Sequence, residues 1–312
     1  METGRVDFVH VQRMTDRQPR VLLAESIERG TDDAALLASL RKPLGLARYR
    51  CTALLAQGQY LLLQTDAVAG SPEEAREQLR WKLKDQVDFP VESAAIDVLP
   101  VPSASRSPQV FAAIAPESAV APLVQAFQAA KVPLAAIDLP ELSQRNLATL
   151  FEEAGRGLAA LIFDDHEGIL SFSANGELLV ARHIEITAQQ LMAADSAQRG
   201  QLFERITLEI QRSLDNFDRM YSAILLSRLV VAPIPGVDGF LDYLRANLTV
   251  PITVLELSSV LDLGATPALL DPVRQFQCLR VIGAALRDEP GATEGLNLTA
   301  GNAEPSSESA KP

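Results

Sequence analysis

Asp164-Asp165-His166-Glu167 sets three carboxylates and an imidazole in four consecutive residues. Those are the groups that a metal ion or a general acid–base pair would need. Neighbours in one hairpin turn seldom converge on a single ion, so the run reads as a solvated turn, and no metal is expected. His10 and His183 have no paired ligand spacing. There is no G-x-S-x-G, P-loop or H-E-x-x-H pattern either, so no catalytic residue is assigned. Cys51 and Cys278 are the two cysteines, far apart and outside any C-x-x-C, which fits two buried thiols in a reducing compartment better than a disulfide framework. Asn247-Leu248-Thr249 and Asn297-Leu298-Thr299 match glycosylation acceptors, which matter only in a secreted chain.

One large apolar group stands out. In the segment from Ser71 to Asp88, Ser71 can cap a helix, Pro72 suits its first turn, Glu74 completes a capping box and Pro90 stops it. Ala75, Leu79, Leu83 and Val87 share one face. Trp81, the only tryptophan, lies about half a turn away among Glu74, Glu77, Asp85 and Asp88. Packing under a neighbouring element of the same chain is one reading of Trp81; an exposed anchor for a partner is the other.

The elements that must position these residues follow from 312 residues, 47% hydrophobic, enough for about two domains with a core each. A net charge of −12 argues against a chain whose main work is gripping nucleic acid or an anionic bilayer. No apolar run is long enough to span a membrane, and the first residues carry no signal-peptide pattern, so neither insertion nor export is expected. Alternating residues predict a hairpin over 6–11 and 20–25, a helix at 32–41, and strands at 51–55 and 60–64 around Gln57-Gly58-Gln59. Beyond the Trp81 helix a compact β-β-α-β-α unit is expected over about 91–150. After Gly155-Arg156-Gly157 the hairpin theme returns at 158–163, 169–172 and 178–186, with a tight Asn175-Gly176 turn. A helix at 201–222 carries Arg205, Arg212 and Arg219 on its outer face, read as solvated. Strands at 228–232 and 252–255 and helices at 239–246 and 273–286 follow. Residues 288–312 are polar, rich in Gly, Pro, Ser and Glu, and read as a disordered tail.

Leu79 to Pro90 (LRWKLKDQVDFP) followed by Ile96-Asp97-Val98 resembles a signature of the MshI family of MSHA pilus biogenesis proteins, relatives of the type IV pilus assembly protein PilM. Ala136 to Leu142 with Gln144 to Leu147, Gly176 to Leu178 with Arg182 to Glu185, and Leu208 to Asp215 match in the family's order. The resemblance covers about residues 5–287. It implies an α/β, actin-like (RNase H-like) two-lobed fold: a first lobe at 1–150 with an inserted α+β subdomain at about 91–150, and a second lobe at 151–287. It also implies a cytoplasmic scaffold recruited to the inner face of the inner membrane, docking the cytoplasmic N-terminal tail of a PilN-like bitopic protein and meeting other assembly-platform proteins. Trp81, Asp88, Phe89 and Pro90 are the partner-binding candidates.

Actin-like ATPases hold phosphates with two Asp-x-Gly turns, because glycine lets backbone N–H groups approach the oxygens. The first turn would precede Arg5, where only Met1 to Gly4 stand, so that strand is expected to be missing. The second aligns with Ile162, Phe163 and Asp164, putting a carboxylate where a glycine should meet phosphate. Two unit charges at about 4 Å repel by roughly 4 kcal/mol at an effective dielectric near 20, about a thousandfold in affinity. The Gly-Gly nucleotide turn is replaced by Ala232, Pro233, Ile234 and Pro235. A pseudo-ATPase without cofactor is expected. The alternatives are an ATP–Mg-binding ATPase or sugar-kinase-like enzyme, and a filament-forming actin-like protein. Gly295-Leu296-Asn297-Leu298 is similar to the start of PilN-like tails, which suggests a tail that competes for the chain's own groove.

Overall fold

The computed structural model describes residues 4–15, 17–102 and 108–287. The sequence readings at residues 1–3 and in the tail at 288–312 lie outside them. Two compact units are present: in described residues, 4–28, 102 and 140–287 form one, and 29–101 with 108–139 form the other. The division differs from the lobes read at 1–150 and 151–287, since the first hairpin belongs with the later residues.

The larger unit opens with antiparallel strands β1 (Arg5–Gln12) and β2 (Arg20–Glu28). Helix α4 (Pro140–Thr149) follows, and then three strands joined by short turns, β8 (Gly157–Phe163), β9 (Gly168–Ala174) and β10 (Glu177–Ile184). Asn175 and Gly176 adopt φ of 54° and 79°, the left-handed pair that a two-residue hairpin loop requires. β11 (Leu226–Val231) and β12 (Ile252–Val254) complete a sheet in the order β10-β9-β8-β11-β12, antiparallel over the first three strands and parallel over the rest.

β8 is buried on both faces and divides two cores. Leu161 and Phe163 enter a cluster with helices α6 (Ser196–Met220) and α7 (Phe240–Asn247); Ala160 and Ile162 enter one with α4 and α8 (Pro272–Ala285). The apolar stripe read on the long helix is observed, with Phe203, Ile206, Ile210 and Phe217 buried and Arg205, Arg212 and Arg219 exposed. Capping explains the start of α6, where Asp195 and Gln198 form a reciprocal capping box, and of the short α5 (Ala188–Ala193), where Thr187 and Gln190 do the same. Sequence reading started the long helix at 201 and assigned no helix at 188–193.

The smaller unit holds α1 (Asp33–Arg41), β3 (Cys51–Leu54), β4 (Leu61–Asp66), α2 (Pro72–Lys82), β5 (Ala95–Val101), β6 (Gln109–Ala115), α3 (Glu117–Ala129) and β7 (Leu134–Asp138). Its strand pairing supplies partners that the sequence reading did not assign. β3 and β4 are not partners across Gln57-Gly58-Gln59; β3 runs parallel to β7, and β4 joins β6 and β5 in an antiparallel sheet. The compact unit expected at about 91–150 is redrawn, because its second strand, β6, pairs with β4, upstream of residue 91, while β7 pairs with β3. Side-chain demand explains the shift: Leu61 and Leu63 must cover the cluster that Leu79, Leu83, Ile96 and Ile114 form.

Helix α2 begins as read, with Ser71 accepting from the Glu74 N–H and the Glu74 carboxylate bonded to the Ser71 N–H at 2.7 Å. It stops at Lys82 rather than near Asp88, and a 3-10 turn at Lys84–Gln86 lets Val87 and Phe89 fold back onto the cluster. Replacing Ser71→Ala should cost about 1 kcal/mol, read as a lower urea midpoint with an unchanged slope.

Candidate functional site

The turn between β8 and β9 contains the run of acidic residues. Asp164 Oδ1 accepts hydrogen bonds from the N–H groups of His166 at 2.8 Å and Glu167 at 2.9 Å. Its own N–H donates to the Glu167 carbonyl at 2.9 Å. Oδ2 receives Nε of Arg280, from α8, at 2.9 Å. The side chain therefore caps its own turn, and a guanidinium neutralises it. A triphosphate would need those N–H groups, and the carboxylate that now holds them carries the same sign as the phosphate. The residues present at this turn do not fit a phosphate-holding role.

The two residues before Asp164 are core. Ile162 and Phe163 are both buried, and Phe163 meets Phe240 edge-on with ring centres 6.0 Å apart. Ala232 continues the sheet, donating its N–H to the Leu161 carbonyl at 2.9 Å, and is buried. Pro233 is half-buried and borders two cavities of about 310 and 330 Å³. The first is lined mainly by Val254, Leu255, Phe276 and Leu279; the second faces the start of α7. Pro233 and Pro235 supply no N–H, so the segment lacks the donors of a glycine turn.

Sequence reasoning missed a cluster beside this turn. Glu167 is buried, unlike the solvated residue expected, and its Oε1 lies 2.8 Å from Nδ1 of His183 on β10. The other ring nitrogen, Nε2, lies 3.1 Å from Oε1 of Glu141, a fully buried residue of α4. The bond to Glu141 first, and that to Glu167 second, favour the protonated ring against the opposing effect of burial and raise its pKa to about 10. His183 is thus an imidazolium tying three elements together. Nothing in its sequence spacing signalled this, because the partners lie on separate elements. Among the described residues no group of three His, Cys, Asp or Glu is arranged to hold a metal ion.

α4 explains the Gln144 to Leu147 segment. Although Ser143, Gln144, Arg145 and Asn146 are polar, all are buried. Gln144 Nε2 lies 2.9 Å from the carbonyl oxygens of Ala160 and Ile169, within reach of its two N–H groups, and 2.9 Å from the Ser171 hydroxyl oxygen. Asn146 Nδ2 donates to the Gly283 carbonyl at 3.1 Å.

In the smaller unit Trp81 is 49% exposed on α2, its indole N–H donated to Glu77 at 2.8 Å. Leu79 and Leu83 point into the cluster behind it. Arg76 pairs with Asp97 of β5 at 3.2 Å, and Arg80 donates to the Val91 carbonyl at 2.6 Å. Gln78 bonds the Ala69 carbonyl at 3.3 Å, at the exit of β4. The ring is therefore exposed on a helix anchored from both sides. Asp88 and Pro90 are exposed, whereas Phe89 is half-buried against the same cluster. The edge of β4 away from β6 carries no other strand among the described residues.

No family model matches the sequence, and no curated protein matches it. Solved structures do. The chain is similar to the structure described as a PilM-PilN type IV pilus biogenesis complex, with 18% identity, a TM-score of 0.67, and coverage of 94% of this chain and 97% of that one. It is also similar to a Bacteroides thetaiotaomicron protein with an actin-like ATPase fold (8% identity, TM-score 0.45, 87% and 99% covered). A further similarity is to the cytoplasmic domain of EpsL, an inner membrane component of the type II secretion system of Vibrio cholerae (14% identity, TM-score 0.41, 74% and 84% covered). The chain has the actin-like α/β fold.

Proposed function

We propose that this chain is a PilM-like scaffold of a type IV pilus assembly platform, of the MshI kind, that docks the cytoplasmic N-terminal tail of a PilN-like inner-membrane protein without turning over nucleotide. Trp81 carries the reading. A half-exposed tryptophan on a pinned helix is the residue type that most often dominates a small interface, because it buries large area at little entropy cost. An extended peptide alongside β4 would gain main-chain hydrogen bonds and could pack an apolar side chain on the indole, with Asp88, Phe89 and Pro90 at the rim. The fold's likeness to a PilM-PilN complex over nearly the whole chain supports that class of partner. The protein works on the cytoplasmic side and reaches the inner membrane through its partner; no helix among the described residues is long and apolar enough to cross a membrane. The Asp164 turn, with its donors held internally, supports a pseudo-ATPase without bound nucleotide.

Calorimetric titration of a PilN-like N-terminal peptide into the chain tests the proposal. Trp81→Ala should weaken binding at least tenfold, about 1.4 kcal/mol, and Trp81→Phe should weaken it less. Unchanged affinity in Trp81→Ala would remove this face from the interface. In the same cell Mg-ATP should give no heat; micromolar binding would favour the ATPase reading instead.

A further inference from the structure

The chain has a net charge of −12, yet residues 34–65 and 118–137 contain no carboxylate while carrying Arg41, Lys42, Arg48, Arg50 and Lys131. Hydrogen bonds within the smaller unit bring the two segments together. Arg41, in the last turn of α1, donates its Nε to the Lys131 carbonyl at 2.9 Å, and the N–H of Cys51, next to Arg50, donates to the Pro133 carbonyl at 3.2 Å. All five cations are exposed, and Lys42, Arg48 and Lys131 form no ion pair among the described residues. Tyr49, between two of the arginines, is 41% exposed.

A cation at each helix C-terminus follows from the helix dipole alone. That accounts neither for Arg48 and Arg50 nor for lysine at 131. α3 closes in a left-handed turn: the Lys131 N–H donates to the Gln128 carbonyl and the Val132 N–H to the Phe127 carbonyl, both at 3.0 Å. Lys131 has a φ of 55°, at a position that glycine usually takes because a Cβ is strained there. Asn175 is the other non-glycine residue with positive φ among the described residues, and its hairpin turn explains it. Lysine at 131 strains the turn, and what it adds there is a charge on a long stem.

We propose that this basic surface of the smaller unit rests on an anionic phospholipid layer. Long stems around an exposed tyrosine suit a fluid array of headgroups: each ammonium or guanidinium follows the nearest phosphate, and the phenol lies at headgroup level. An acidic protein partner would favour arginine forks set in fixed geometry rather than mobile lysines. The choice of a bilayer also rests on the scaffold reading, which holds the chain beside the inner membrane. Each cation near such a surface is worth about fivefold in affinity, so the five give a weak, reversible grip that acts once a partner tethers the chain. The overall charge of −12 opposes anything stronger.

Co-sedimentation of the full chain with vesicles, in the absence of any partner peptide, tests it. Vesicles containing phosphatidylglycerol should bind at least tenfold more tightly than vesicles of phosphatidylcholine alone, and raising salt from about 0.05 M to about 0.5 M should abolish the difference. Lys42→Glu combined with Arg48→Glu should weaken that binding at least tenfold and leave the affinity for a PilN-like peptide unchanged, so this inference and the scaffold reading fail separately. Lys131→Gly should weaken it about fivefold while raising the urea midpoint, a pair of changes that a purely structural lysine would not give. No binding, equal binding to both kinds of vesicle, binding that the double variant leaves intact, or a midpoint that falls in Lys131→Gly would overturn the inference. Tighter binding to polyglutamate or to polyuridylate than to the anionic vesicles would overturn it too, assigning the cations to a macromolecular partner.

Discussion

Gly283→Ala should destabilise the larger unit by about 3 kcal/mol, although alanine favours an isolated helix by about 1 kcal/mol over glycine. A Cβ at residue 283 would stand 2.1 Å from the Ser143 carbonyl oxygen and 2.7 Å from its carbon, both backbone atoms that no rotamer change can move. α4 and α8 would have to separate. The Asn146 bond to the Gly283 carbonyl and the Ser143 hydroxyl bond to the Arg280 carbonyl would lengthen together, at roughly 1 kcal/mol each. Overpacking adds about 1–3 kcal/mol. Urea unfolding followed by far-UV circular dichroism, with hydrogen exchange at the α8 amides, reads the loss; an unchanged midpoint and unchanged exchange would show that the helices part without penalty.

That close crossing explains why fold was more legible than site. Local signals worked where the responsible atoms are near in sequence. The Ser71–Glu74 capping box placed the start of α2, and Asn175-Gly176 placed a hairpin. The alternation over 6–11 and the apolar spacing of 203–217 also have their causes within one element. Pairing between distant strands has no such signal. Gln57-Gly58-Gln59 is a good turn, yet it says nothing about whether the strands it joins pair with each other, and here the partners are β7 and β6. The stop of α2 was missed for a related reason: Val87 continues the helical spacing of Leu79 and Leu83, and only the cluster behind the helix shows that an extended Val87 reaches it.

At the acidic turn, residue types were legible and roles were not. Asp164 was read as hostile to phosphate from its charge, and its geometry adds a reason that sequence does not contain: the carboxylate holds the turn's own N–H groups and Arg280. Ile162, Phe163 and Ala232 are buried in the packing around β8, which their residue types alone did not show. The buried polar side chains of α4 likewise account for several of the residues that carried the family resemblance, since Gln144 and Asn146 satisfy backbone carbonyls that no apolar residue could.

The His183 clamp gives the second large effect. Its ring is charged in the folded chain, with a pKa of about 10 against 6.5 for an unconstrained imidazole. Because the folded value is the higher one, the folded state binds the proton more tightly; the stabilisation is fully present below about pH 6.5 and is lost as pH rises through about 10. The ring is 34% exposed, and screening reduces the contribution to on the order of 2 kcal/mol across that window. His183→Ala should cost about 3 kcal/mol at neutral pH, because it removes the cation that faces Glu141, a carboxylate with no solvent exposure. It should also flatten the decline in stability between pH 7 and 10. Adding Glu141→Gln should return part of the loss, since the charge left behind is then neutral. Urea midpoints of the unmodified chain, His183→Ala, Glu141→Gln and the double variant at pH 7 and pH 10 measure all three effects, and additive costs with an unchanged pH slope would show that the imidazolium holds neither carboxylate.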